Sequence, residues 1–186
     1  MKPIKTLLTI LVISLLSSPS WSVSSDDLVF RDGLYYQKFT DVPFTGEVSG
    51  EEQGILKYGV KDGAWVTYYP NGQLWLEYNY KNGSKEGAWV WYYENGSILY
   101  KGNYKNGMKD GAKVGYYENG SIWYKEDFKN GKLEGAQVSY WETGQVWYKG
   151  NNKYGKREGA WVWNNKDGTV FAPLTGIFKN GMKISD

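Results

Sequence analysis

Five carboxylates spaced at 24-residue intervals, Asp62, Glu86, Asp110, Glu134 and Glu158, are the side chains here whose type and spacing most invite a chemical reading. A carboxylate row could bind calcium or divide acid and base roles between neighbours. Histidine and cysteine are both absent, which removes the commonest general base, the usual transition-metal ligands and every thiol nucleophile. Ser-Lys and paired-carboxylate chemistry remain. Repetition argues against both, because a catalytic site is normally unique and this acid recurs at every step. If each unit is a hairpin, equivalent positions lie two strands apart, about 9.6 Å between backbones, too far to share a cation unless the side chains converge. A basic residue directly precedes all but Glu134, namely Lys61, Lys85, Lys109 and Arg157. The row is expected to be a solvated, charge-compensated rim. No catalytic residue, cofactor-binding residue or metal ligand is assigned, no cofactor is expected, and the chain does not read as an enzyme.

The second chemical feature is aromatic. With 10 Trp and 17 Tyr, the chain has rings enough to stack with each other or on a ligand. The candidate ligand-contact residues are Trp65, Trp89, Trp91, Trp123, Trp147, Trp161 and Trp163. One position reads Trp65, Trp89, Lys113, Gln137, Trp161 in successive units, and such breaks mark where specificity should be sought. The competing structural reading is that the rings form ladders between hairpins in place of a core.

Both rows must be carried by a repeating element. Gly-Ala opens a unit at Gly63, Gly87, Gly111, Gly135 and Gly159. Val66, Val90, Val114, Val138 and Val162 follow, then Tyr68, Tyr92, Tyr116, Tyr140 and Asn164, a period of two that marks strands. Asn71-Gly72, Asn95-Gly96, Asn119-Gly120, Thr143-Gly144 and Asp167-Gly168 then turn the chain, and Asn-Gly or Asp-Gly suits a two-residue type I′ hairpin. A second apolar strand returns to Asn82-Gly83, Asn106-Gly107 or Asn130-Gly131. With two-residue loops, Val66, Tyr68 and Trp75 share one face and Trp65, Tyr69, Leu74 and Tyr100 the other, so both faces are expected to be partly aromatic. The fold expected is all-β: tandem 24-residue β-hairpin repeats forming an elongated, twisted single-layer antiparallel sheet, with strands of about 5–6 residues. Residues 23–62 read as an N-terminal cap with a truncated repeat. Residues 63–183 hold five repeats, the last irregular around Pro173 and closing the array.

Residues 1–22 have the layout of a signal peptide: Lys2 and Lys5, an apolar run from Leu7 to Leu16, then Ser17 to Ser22 with Pro19. Cleavage is expected after Ser22 or after Ser18, the alternative being a retained anchor. The run is shorter than the about 20 residues that span a bilayer, so no transmembrane segment is expected in the mature chain, which would be periplasmic or secreted. Lys2 and Lys5 leave with it, reducing 22 basic residues to 20 against 20 acidic. Zero formal charge disfavours nucleic acid and anionic membranes as partners.

The unit G-A-W-V-x-Y-Y-x-N-G-x-I/L-W-Y-K-x-x-Y-K-N-G-x-K-E/D resembles the variant MORN repeat (membrane occupation and recognition nexus). The segment Val42-Pro43-Phe44-Thr45-Gly46 is similar to the start of bacterial YwqK-type antitoxin repeat proteins. The resemblance implies an interaction or scaffold module whose partner is another protein, and an antitoxin or immunity role as one variant of that. Exposed Trp and Tyr rows motivate the alternative, glycan or cell-wall binding.

Overall fold

The computed structural model describes residues 22–186; the expected signal peptide, apart from Ser22, lies outside the described residues. The N-terminal strands are β1 (Ser22–Ser24), β2 (Leu28–Arg31), β3 (Leu34–Gln37), β4 (Gly46–Ser49) and β5 (Glu52–Lys57). The array proper contains β6 (Val60–Tyr68), β7 (Leu74–Lys81), β8 (Ser84–Lys85), β9 (Gly87–Tyr92), β10 (Ile98–Lys105), β11 (Met108–Lys109), β12 (Gly111–Tyr116), β13 (Ile122–Lys129), β14 (Lys132–Tyr140), β15 (Val146–Lys153) and β16 (Lys156–Trp163). β17 (Gly176–Lys179) and β18 (Met182–Ser185) close it. From β4 onward, strands adjacent in sequence pair in one long sheet, with β8 and β11 as short outriggers on β7 and β10. Every pair in that sheet is antiparallel except β1 with β4, which is parallel. The full-length repeat strands run to eight or nine residues, longer than the sequence pattern suggested.

Two turn types alternate. At Tyr58-Gly59, Asn82-Gly83, Asn106-Gly107, Asn130-Gly131 and Tyr154-Gly155 both residues have positive φ, the conformation of the type I′ hairpin. At the opposite end, Asn71, Asn95 and Asn119 are not in the left-handed region and only the following glycine is. The Tyr69 N–H donates to the Gln73 carbonyl and the Gly72 N–H to the Tyr69 carbonyl, both at 2.8 Å. That is a three-residue loop closed by glycine, which leaves a bulge in the ladder, and it replaces the expected two-residue turn.

The bulge changes the faces. Tyr68 pairs with Leu74, not with Trp75. Trp75 swings to the other side, where its ring centroid lies 5.7 Å from Tyr69 and 6.2 Å from Trp91. Trp123 and Trp147 repeat this against Tyr117 and Trp141. The indoles therefore gather on one face. The opposite face carries the valine row, each Val cross-strand from Glu77, Lys101, Lys125 or Lys149, whose stems cover it.

A single layer has no second sheet to bury its rings, so they lie flat on their own sheet where glycine gives room. A Cβ on Gly54 would meet Trp65 at 2.4 Å, one on Gly115 would meet Tyr124 at 2.4 Å, and one on Gly150 would meet Trp161 at 2.2 Å. The Trp65 and Trp161 N–H groups then reach the carbonyls of Ile55 and Asn151 at 3.1 and 2.9 Å. At the N-terminal end Val48, Leu56 and Trp65 form a buried cluster with Leu28, Tyr35 and Phe44 against it; at the other end Trp161, Trp163 and Phe178 do the same.

Gly150→Ala is expected to cost about 1–3 kcal/mol, as overpacking does, read as a lower urea midpoint at unchanged slope. An unchanged midpoint would show that Trp161 does not rest on Gly150. Burial also raises the Tyr80 hydroxyl, to about 12 from an ordinary 10.0. A raised pKa means stability is whole below pH 10.0 and declines as pH climbs through about 12. Alkaline titration should show phenolate absorbance rising together with loss of near-ultraviolet dichroism, rather than well before it.

Candidate functional site: the ring face and its basic roof

The carboxylate row has a structural role that the sequence does not disclose. Gly63, Gly87, Gly111, Gly135 and Gly159 all have positive φ and sit where the strand bulges, which directs the preceding acid toward the next unit. Each acid accepts the N–H of the first residue of the following type I′ turn. These contacts are Asp62 from Asn82 at 3.3 Å, Glu86 from Asn106 at 2.7 Å and Asp110 from Asn130 at 3.3 Å. Glu134 accepts from Tyr154 at 2.7 Å and Glu158 from Asn180 at 2.9 Å. The carbonyl of the residue before each acid accepts the N–H of the turn glycine, for example Lys85 from Gly107 at 2.9 Å. Lys57 and then the Asn82 N–H hold the Asp62 carboxyl below the usual carboxylate range. The row is thus a set of turn clasps, not a merely solvated rim, and among the described residues no group of three or more acids is arranged to hold a metal.

At the other row of turns a tyrosine hydroxyl does the tying. Tyr69 donates to the Tyr92 carbonyl at 2.8 Å, Tyr93 to Tyr116 at 2.9 Å and Tyr117 to Tyr140 at 2.7 Å.

Of the seven candidate contact residues, Trp65, Trp89, Trp161 and Trp163 are buried, at 1–5% exposure, and pack as core, Trp89 also walling a cleft on this face. Trp91, Trp123 and Trp147 are half-buried. What covers the rings is charge. Lys85 Nζ stands 3.5 Å above the centre of Tyr78, Lys61 4.1 Å above Trp65, Lys113 4.7 Å above Tyr124, and the Arg157 guanidinium 4.7 Å above Trp163. Lys109 lies 5.4 Å from Phe128. Each such contact contributes about 0.5–2 kcal/mol. Lys61 is ion-paired with Glu52 and Lys113 with Glu126. Among the described residues, Lys85, Lys109 and Arg157 have no carboxylate partner. Of the five cations named over these rings, two therefore have a carboxylate partner and three do not. Sequence reading missed this roof because Lys-Asp and Lys-Glu pairs look self-compensated in one dimension.

The ladder is broken once, between Tyr124 and Tyr148. There Lys113, Glu126, Gln137, Ser139 and Asn152 replace rings. Gln137 Nε2 donates to Glu126 at 3.0 Å, Asn152 Nδ2 to Gln137 at 2.8 Å, and the buried Ser139 hydroxyl to the Trp123 carbonyl at 3.1 Å.

A family model described as "MORN repeat variant" matches residues 61–82, 85–106, 109–130 and 133–152. A search of curated proteins gave no match. Among solved structures, "Crystal structure of GtfA/B complex bound to UDP and GlcNAc" aligns over 84% of this chain and 27% of its own, at 15% identity and a TM-score of 0.22. At that score the likeness supports no argument, and this chain spans little more than a quarter of that one.

Glu134→Ala is expected to cost about 1 kcal/mol, the net worth of one hydrogen bond, in urea unfolding. Added calcium should leave the wild-type midpoint where it is; a rise with calcium would restore the metal reading of the row. Residues 61–152 are four tandem copies of the MORN repeat variant.

Proposed function

We propose that this repeat protein is a non-catalytic binding module, exported after removal of residues 1–22, whose partner is a protein presenting an acidic surface to the ring face. The observation that carries the reading is the roof of ammonium and guanidinium groups over the aromatic ladder, with Lys85, Lys109 and Arg157 lacking carboxylate partners. A row of like charges over low-dielectric rings attracts and orients an opposite row. The carboxylates that might have served catalysis are engaged in turn clasps, which supports a binding rather than an enzymatic role. Residues 23–62 and the irregular last unit act as caps, closing the two buried clusters at the ends.

Glycan or cell-wall binding is the second reading, favoured by the half-buried Trp91, Trp123 and Trp147. It is weaker, because sugar stacking needs a run of open ring faces, and the neighbouring Trp65, Tyr78, Tyr124 and Trp163 lie under cations although these three do not. An envelope immunity role is a special case of the first reading, with an acidic toxin as partner.

Retention of the mature chain on immobilised poly-glutamate should be strong at low salt and fall as salt screens exposed charge, the Debye length being about 8 Å at physiological strength. The double variant Lys85→Glu, Arg157→Glu should lose it. Equal retention of the double variant contradicts the proposal, and pelleting with purified cell-wall polymer without poly-glutamate binding would favour the glycan reading.

A further inference from the structure

On the ring face, beside the break in the ladder, lies a cleft of about 150 Å³ walled by Tyr78, Trp89, Trp91 and Tyr104 and edged by Lys109 and Lys113. Since a water occupies about 30 Å³ of liquid, the space admits one side chain and not a folded element. It exists because Lys113 stands where Trp65, Trp89 and Trp161 stand in other units. We propose that this cleft is a subsite for a single carboxylate, the side chain of a Glu or Asp in an extended acidic segment of the partner. The proposal rests on the reading of the ring face as a surface for acidic protein, and it names the residue that anchors there.

Charge is the first argument. Lys113 reaches Glu126 only at 3.6 Å, longer than a hydrogen bond, while Glu126 already receives Gln137 at 3.0 Å. Lys109 has no carboxylate partner among the described residues. Of the two ammonium groups at the rim, Lys113 thus has one long contact to a carboxylate that also accepts from Gln137, and Lys109 has none. Burial first, and then repulsion from Lys109, holds the Lys113 ammonium below the usual lysine range despite Glu126.

The placement of the Trp89 ring is the second argument. The Trp89 N–H has no partner, unlike those of Trp65 and Trp161. Trp89 leans instead over Gly102, whose Cβ would meet it at 2.9 Å, because Tyr78 fills the place on the preceding strand that Gly54 and Gly150 leave open. A group with two lone-pair-rich oxygens on a short apolar stem matches ammonium donors at the rim and rings along the walls. A neutral sugar can accept hydrogen bonds from the ammonium groups but leaves their charge uncompensated.

The test is a tryptophan-fluorescence titration of the mature chain with acetyl-Gly-Gly-Glu-Gly-Gly-amide and with its Gln counterpart. Lys113→Gln and Lys109→Gln are the variants. Gln137 occupies the position of Lys113 one unit on and bonds Glu126 itself, so Lys113→Gln keeps that carboxylate partnered and near-ultraviolet dichroism should be unchanged. The Glu peptide should give a saturable change that the Gln peptide does not, and each variant should weaken it by about tenfold or more. Equal response to both peptides, or wild-type affinity in both variants, overturns the subsite. If poly-glutamate retention persists while that happens, the ring face still binds acidic protein and only the anchor is misplaced. If wild type is not retained on poly-glutamate at all, the reading of the face fails first and the subsite with it.

Discussion

A sheet one layer thick must cover its apolar face with nothing but its own side chains, and the remaining features of this protein follow from that constraint. Rings are the side chains wide enough to do it, and they can lie flat only where the neighbouring strand offers glycine. Hence Trp65 sits on Gly54 and Trp161 on Gly150. Even then the outer faces of the rings stay open to water. Lysine and arginine solve this by setting their charged ends over the ring faces, as Lys85 does on Tyr78 and Lys61 on Trp65. The basic roof is therefore a structural requirement first, and its unpaired members are the ones the proposed acidic partner would meet.

The same constraint fixes the edges of the ribbon. With so little burial per residue, the register from one hairpin to the next needs support beyond the strand ladder. The acid and the preceding carbonyl hold the two N–H groups of the next type I′ turn on one side. Tyrosine hydroxyls hold the opposite row. Both clasps join residues 20–24 apart, so each repeat is built partly by its neighbour and none is complete alone.

Much of the fold was legible in the sequence. The period, the strands, the positions of the turns at Asn82-Gly83, Asn106-Gly107 and Asn130-Gly131 and the aromatic ladder all follow from local pattern, although the type I′ conformation that these turns adopt was expected at the other row. Asn71-Gly72 did not, because the same dipeptide closes a different loop there; Pro70, which favours the position before the turn centre of a type I turn, was the one local signal. Missing that bulge misplaced Trp75 and Leu74. The carboxylates were misjudged for another reason: their acceptor role involves an amide 20 residues away, which no local spacing displays. The candidate site was legible only as a break in the ladder at Lys113 and Gln137. That four of the seven tryptophans are core depends on which glycines face them across the sheet, a fact of register and not of composition.

The central claim is that ammonium groups roof the rings, and proton NMR of the lysine side chains tests it most directly. The ε-methylene protons of Lys61 and Lys85, held over Trp65 and Tyr78, should be shifted upfield by the ring currents, while those of the exposed Lys105 and Lys129 stay at ordinary lysine positions. If the Lys61 and Lys85 signals coincide with those of Lys105 and Lys129, the rings are not covered in this way and the account of the face is wrong.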